Sequence, residues 1–221
     1  MQRPLSYLEG KDNEAIPVIL SVHSSTPNPK ILDVTHNKGK MWSGLDYNVV
    51  RMDIDSQHAP NIDLVADFTR LPFASSSFDV LMFDPPHLPT NAASENSSKI
   101  WEKRYGITDD DELRSGDNVS PMFTPFLIEA KRVLKHDGII IAKIADLTHN
   151  HRYQWQHVMW VNACLAAGMT PCDLLIKRDP CAGRLKSSKW QTVKHFRKAH
   201  CYFIVVRNGN SCERKDKGGI K

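Results

Sequence analysis

The sequence predicts an α/β protein, a mixed sheet with helices packed on both faces. Three observations carry that expectation. Short apolar runs suited to strands recur along the chain and end repeatedly in aspartate, at Asp33, Asp53, Asp67 and Asp84. Amphipathic stretches and turn signals separate the runs, the alternation expected when helices cover a largely parallel sheet. The most apolar of the early runs, Asp79 to Phe83, stops abruptly at Asp84-Pro85-Pro86. Two consecutive prolines carry no backbone N–H and fix φ, so the strand cannot continue past them. A carboxylate is thereby left on a stiff loop at the carboxyl end of a strand. In open α/β sheets, that edge is where ligands bind.

In chain order, residues 1–29 form a lead-in segment. Its weakly apolar part, Ile16 to Val22, reads as a helix or an extended arm against the sheet, and Ser24 to Pro29 is a turn. The main domain is expected over residues 30–207. Lys30 to Val34 is its first strand, followed by the loop Thr35 to Lys40; Asn48 to Asp55 and Ile62 to Asp67 are the next two. Leu71-Pro72-Phe73 and a serine turn lead into the fourth. Residues 88–120 are polar and turn-rich, and contain Trp101 and Tyr105 among Lys99, Lys103 and Arg104. Such a loop is functional or disordered, and its aromatics either contact nucleic acid or plug the loop onto the body. Met122 to Lys135 reads as a helix with Phe126, Ala130, Val133 and Leu134 on one face and cations at its carboxyl end. Gly138 to Ile144 is a buried strand, residues 154–167 a helix stopped at Gly168, and Pro171 to Lys177 a sixth strand. Cys201 to Arg207 closes the sheet, as an antiparallel hairpin partner of the sixth strand at one edge. The polar residues 208–221 are expected to be a disordered tail.

Composition narrows the function classes. With 221 residues, 41% hydrophobic and 24% charged, the chain suits one well-cored globular domain. No apolar run approaches the roughly 20 residues of a membrane span, and the start lacks the apolar core of a secretory signal, so a cytoplasmic protein without a membrane partner is expected. Five cysteines without a Cys-x-x-Cys pair predict reduced thiols, neither a disulfide framework nor a zinc site. The ten histidines, including His149, His151 and His157, lack metal-ligand spacing, and no metal is expected. A net charge of +4 favours a polyanionic partner. The excess concentrates between Arg178 and His200, where Arg184, Lys186, Lys189, Lys194, Arg197 and Lys198 surround Trp190 and Phe196 with only Asp179 opposing. That run reads as a loop tracking phosphates, or as a solvated basic face.

The segment Phe78 to His87, with Ile31-Leu32-Asp33-Val34-Thr35, Met52-Asp53-Ile54-Asp55, Val65-Ala66-Asp67-Phe68 and the helix end Lys131 to Gly138, resembles the class I S-adenosylmethionine-dependent methyltransferases over most of residues 30–207. Within them it is similar to the amino-methylating group with an Asp-Pro-Pro-aromatic loop, which modifies adenine or cytosine amino groups in DNA. The resemblance implies a Rossmann-like mixed seven-stranded sheet with the last strand antiparallel, and S-adenosylmethionine as cofactor. It implies that Asp33, Thr35 and the loop through Gly39 approach the methionine part of the cofactor. Asp53, with Asp55 as fallback, would hold the ribose hydroxyls, and Asp67 the adenine amino group. Asp84 and the Pro85 carbonyl, braced by Pro86, would accept hydrogen bonds from the target amino group, and His87 would stack on the extruded base. Two departures stand out: the first loop has one glycine where the family usually has more, and His87 replaces the commoner Tyr or Phe.

The expected activity is methyl transfer to an exocyclic amino group of a nucleobase, adenine in DNA first. Cytosine in DNA, a guanine amino group in RNA, and a non-catalytic binding subunit of the same fold remain open as alternatives. The target-recognition segment must be residues 88–120, the basic run, or a partner. The sequence is silent on oligomeric state.

Overall fold

The computed structural model describes residues 4–86, 122–149, 152–178 and 199–212. Strand β1 (Tyr7–Glu9) and helix α1 (Asp12–His23) precede the first of the acid-ended strands, β2 (Ile31–Asp33). After a single 3₁₀ turn at Lys40–Trp42 come β3 (Val49–Asp53), β4 (Leu64–Val65) and β5 (Phe78–Phe83). Helix α2 (Phe123–Val133) runs directly into β6 (Leu134–Ile144). The hairpin strands β7 (Leu147–His149) and β8 (Arg152–Gln154), helix α3 (Gln156–Ala166), β9 (Thr170–Arg178) and β10 (His200–Arg207) complete the order.

The main sheet has the order β1-β9-β10-β6-β5-β2-β3-β4. β10 runs antiparallel to both its neighbours, while the β2, β3, β4, β5 and β6 pairings are parallel. The sheet therefore has eight strands, not the expected seven, because Tyr7–Glu9 adds in parallel register to β9 (Tyr7 opposite Ile176). For the same reason the closing antiparallel pair is not at the rim. Three residues alternating around one leucine are too short a pattern to read as a strand.

Period-two alternation sorts the central strands into two cores. Leu32, Leu81, Phe83, Ile140, Ala142 and Ile204 pack with Phe126, Ala130, Trp160 and Cys164 of α2 and α3. Their neighbours Ile31, Val80, Met82, Ile141, Phe203 and Val205 pack with Ala15, Ile16, Ile19 and Leu20 of α1. α2 also grips the connection into β5. Glu129 Oε2 accepts from Leu71 N at 2.7 Å, and Arg132 donates to the carbonyls of Leu71 (2.8 Å) and Phe73 (2.6 Å). Arg132 thus does more than complement the helix dipole. It ties α2 to the connection that leads into β5.

One expectation is corrected, on the cysteines. Cys172 and Cys212 form a disulfide, joining β9 to the chain beyond β10. The sequence argument for reduced thiols counted motifs and could not see a pair brought together 40 residues apart by strand pairing. Asn208, first residue of the polar tail, donates from Nδ2 to the carbonyls of Lys131, Leu134 and Lys135 at 3.2–3.3 Å, and Gly209 accepts from Thr170. The tail is therefore anchored at its start. No described helix is long and apolar enough to cross a membrane.

Candidate active site

β3 and β4 lie on one side of β2, and β5 and β6 on the other. Connections leaving β2 and β5 therefore run to opposite sides, the strand-order reversal at whose carboxyl ends open α/β sheets bind ligands. Asp33 ends β2 and Asp84 follows β5.

The first loop is held from beneath by Asp33, which is 2% exposed. Its Oδ1 accepts from Thr35 N (3.2 Å), and its Oδ2 from the Trp42 indole N–H (2.6 Å) while pairing with His36 Nδ1 at 2.9 Å. Asp33 thus shapes the loop from below instead of lining its surface. The shortage of glycine has a local answer. Two positions need left-handed backbone, Asn37 (φ 49°) and Gly39 (φ 64°), and asparagine tolerates that region better than most residues. Gly39 cannot be replaced so cheaply, since a Cβ there would stand 2.6 Å from His36 Nε2.

Three further predicted acids, Asp53, Asp55 and Asp67, lie near the same edge, half-buried. Asp53 Oδ2 accepts from Asn37 N at 2.8 Å and Oδ1 from Asp55 N at 3.2 Å. Burial raises its pKa above the ordinary carboxylate value, partly offset by those backbone N–H groups, and the nearby Asp33 charge adds to the rise. Asp67 follows β4 and accepts from Thr69 N at 2.8 Å; Ala66 N bonds the Asp53 carbonyl, tying the two acids' strands. Asp55 is turned to His58, 2.6 Å away, and to Gln57 N. Its pKa is lowered: burial pulls upward, but the His58 ring and the backbone donors outweigh it.

Asp84 is bonded to the first loop directly, its backbone N–H donating to Thr35 Oγ1 at 2.7 Å. Its carboxylate meets Lys143, whose Nζ donates to Asp84 Oδ2 and Asp12 Oδ2, both at 2.9 Å. Lys177 Nζ donates to Asp12 Oδ1 at 2.7 Å. The result is an alternating chain Asp84–Lys143–Asp12–Lys177 joining β5, β6, α1 and β9. Register explains it: Phe83 pairs with Ala142, so Asp84 continues opposite Lys143. Burial alone would push the Lys143 pKa down, but the Asp84 and Asp12 carboxylates drive it far above an ordinary lysine. Lys143 stays charged.

Beyond β6, Asp146 is 3% exposed and serves as a capping group for α3, accepting from His157 N at 3.2 Å. It also accepts from Tyr153 Oη (2.7 Å) and pairs with His157 Nδ1 (2.7 Å). Burial would raise its pKa, but the His157 ring, the Tyr153 hydroxyl and the His157 N–H together lower it. A carboxylate with a depressed folded pKa contributes stability above the unfolded value of 3.8, and loses it as pH falls through the lower folded value. Asp146→Asn is therefore expected to lose about 1–3 kcal/mol near neutral pH, with the gap to wild type closing in acid. Denaturant melts across that range check it; a gap independent of pH contradicts it.

The structure thus brings Asp33, Thr35, Gly39, Asp53, Asp67, Asp84, Pro85 and Pro86 to one edge. His87 and the basic residues Arg184, Lys186, Lys189, Lys194, Arg197 and Lys198 lie outside the described residues, as do Trp101 and Tyr105. Sequence reasoning missed Lys143, Asp12, Lys177 and Asp146. A lysine inside Ile139-Ile140-Ile141-Ala142-Lys143-Ile144 was the available signal, because a charge in so apolar a run needs a partner. No group of three or more His, Cys, Asp or Glu that could hold a metal ion occurs among the described residues.

No family model and no curated protein match this sequence. Solved structures do resemble it in fold. A candidate methyltransferase from Bacillus halodurans superposes with a TM-score of 0.55 at 14% identity, over 91% of this chain and 100% of its own. An S-adenosylmethionine-dependent methyltransferase from Methanosarcina mazei gives 0.51 at 13% identity, over 86% and 96%. The 1,6-didemethyltoxoflavin-N1-methyltransferase of Burkholderia thailandensis, solved with bound 1,6-didemethyltoxoflavin and S-adenosylhomocysteine, gives 0.51 at 13%, over 90% and 77%. With β10 set antiparallel between β6 and β9, and the reversal at β2 and β5, this chain has the class I S-adenosylmethionine-dependent methyltransferase fold.

Proposed function

We propose that this protein transfers a methyl group from S-adenosylmethionine to an exocyclic amino group of a nucleobase, adenine in DNA being the first candidate. One observation carries the reading: the Asp84-Pro85-Pro86 segment stands at the strand-order reversal with its backbone bonded to Thr35 and its carboxylate fixed by Lys143.

The donor set suits the cofactor. Asp53 and Asp67 are half-buried acceptors on the edge beside the first loop, fitted to ribose hydroxyls and an adenine amino group. The acids at this edge also favour a cationic ligand. When bound, S-adenosylmethionine supplies an electrophilic methyl carbon on a sulfonium centre.

The chain's own residues act on the nucleophile. An amino group on an aromatic ring is a poor nucleophile because its lone pair is spread into the ring. The Asp84 carboxylate and the Pro85 carbonyl accept its two N–H bonds, which favours a pyramidal nitrogen and returns the lone pair to it. Proline makes this carbonyl dependable, since neither Pro85 nor Pro86 can donate into the sheet. Lys143 Nζ donates to Asp84 Oδ2 and holds that oxygen in place, so the acceptor needs little reorganisation as positive charge develops on nitrogen. The proton released after transfer passes to solvent.

The test is direct. Protein, isotopically labelled S-adenosylmethionine and unmodified DNA or RNA are incubated, and the digested nucleosides are analysed by mass spectrometry. Label on the adenine amino group of DNA is the expected result. Label on cytosine, or on guanine from RNA, reassigns the target; cofactor binding without transfer to any polynucleotide overturns the reading.

A further inference from the structure

Past Asp84 along the same edge, the chain builds an aromatic assembly that methyl transfer does not use. Asp146 is its buried hub. Besides Tyr153 and His157 it faces the Tyr202 hydroxyl at 3.4 Å. The rings so tethered stack. His157 lies on Tyr202 with centroids 4.4 Å apart and planes 30° from parallel, and His200 meets Tyr202 edge-on at 5.2 Å. Trp155 sits over Tyr153 at 4.5 Å and 6.0 Å from His157, yet it is 56% exposed.

Topology puts these rings near the candidate site. Tyr202 pairs with Ile144 at the carboxyl end of β6, the strand next to β5 and therefore to Asp84. Neighbouring strands are about 5 Å apart, so the assembly begins one or two strands along the edge from the Asp-Pro-Pro segment. An indole is the largest apolar side chain, and leaving it outside forgoes much burial free energy. Here it is backed by the Tyr153 and His157 rings and by the buried Asp146 carboxylate that orients them. An outward-facing ring held on such a backing suits stacking with a flat heterocycle.

We propose that Trp155, supported by Tyr153 and His157, is a stacking platform for a nucleobase flanking the target in a single-stranded or locally opened polynucleotide. This rests on the nucleic-acid reading above. Stacking is not an ionic contact, and that difference supplies the test. Binding of fluorescent single-stranded oligodeoxynucleotides is measured by anisotropy at several salt concentrations for wild type, Trp155→Ala, Trp155→Leu and Trp155→Phe. The Ala and Leu variants are expected to bind about 5- to 150-fold more weakly at every salt concentration. The slope of log affinity against log salt should stay unchanged, because no phosphate contact is lost. Trp155→Phe should recover most of the affinity. Trp155→Leu keeps apolar bulk without a π face, so it separates stacking from packing should the alanine variant fold poorly. Wild-type affinity in the Leu variant, or a flatter salt slope, overturns the platform. A wild type that binds oligonucleotides through Trp155 but transfers no methyl group leaves the platform standing and sinks the activity. A wild type that binds no oligonucleotide sinks both.

Discussion

Asp84→Ala is expected to lower methyl transfer by about 10²- to 10³-fold, the usual cost of deleting one preorganised polar group that meets developing charge. Cofactor affinity, measured by calorimetry, should change little, because Asp53, Asp67 and the first loop do not depend on the Asp84 side chain. The backbone bond from Asp84 N to Thr35 also survives the substitution. Single-turnover transfer from labelled cofactor separates the two quantities. Asp84→Asn should fall between wild type and alanine, since the amide retains one acceptor oxygen but not the charge. Transfer at the wild-type rate in the alanine variant would remove the carboxylate from the mechanism. Equal loss of transfer and of cofactor binding would instead place Asp84 in the cofactor site.

Lys143→Met is expected to be the most destabilising single change at the site, by about 3–5 kcal/mol. Its ammonium lies between two carboxylates, with its own side chain 16% exposed and those of Asp84 and Asp12 24% and 23%. Methionine leaves Asp84 without this cation and Asp12 with Lys177 alone. Thermal or urea unfolding reads the loss. Lys143→Arg should recover part of it, because a guanidinium keeps the charge while changing the donor geometry. A methionine variant as stable as wild type would mean that desolvating Lys143 costs as much as its two pairings return, which is the known alternative for buried ion pairs.

Much of this was legible beforehand, for identifiable reasons. The strands ending at Asp33, Asp53, Asp67 and Asp84 were readable because an apolar run cut by an acid and a turn has few other solutions in an α/β chain. Pro85 and Pro86 marked the end of β5 on backbone chemistry alone. What failed was short, or depended on the third dimension. Tyr7–Glu9 is a strand only because β9 offers it a rim, and the β7–β8 hairpin is held by Asp146 with Tyr153 and by strand pairing. Asp33 is readable as the end of its strand, but its bonding to His36 and Trp42 depends on a loop whose path no spacing rule describes. The Cys172–Cys212 pair is likewise a product of strand register. Lys143 was visible all along in its apolar run, but its partners lie on α1 and β5, 131 and 59 residues away in sequence.

The two outermost strands, β1 at one rim and β4 at the other, have three and two residues. Unpaired backbone along a rim is a template on which a second polypeptide can add a strand, and its adhesiveness grows with length. Here β1 covers the last three residues of β9, Ile176 to Arg178, and closes that stretch of the rim. Removing Tyr7–Glu9 would bare the backbone of that stretch for pairing.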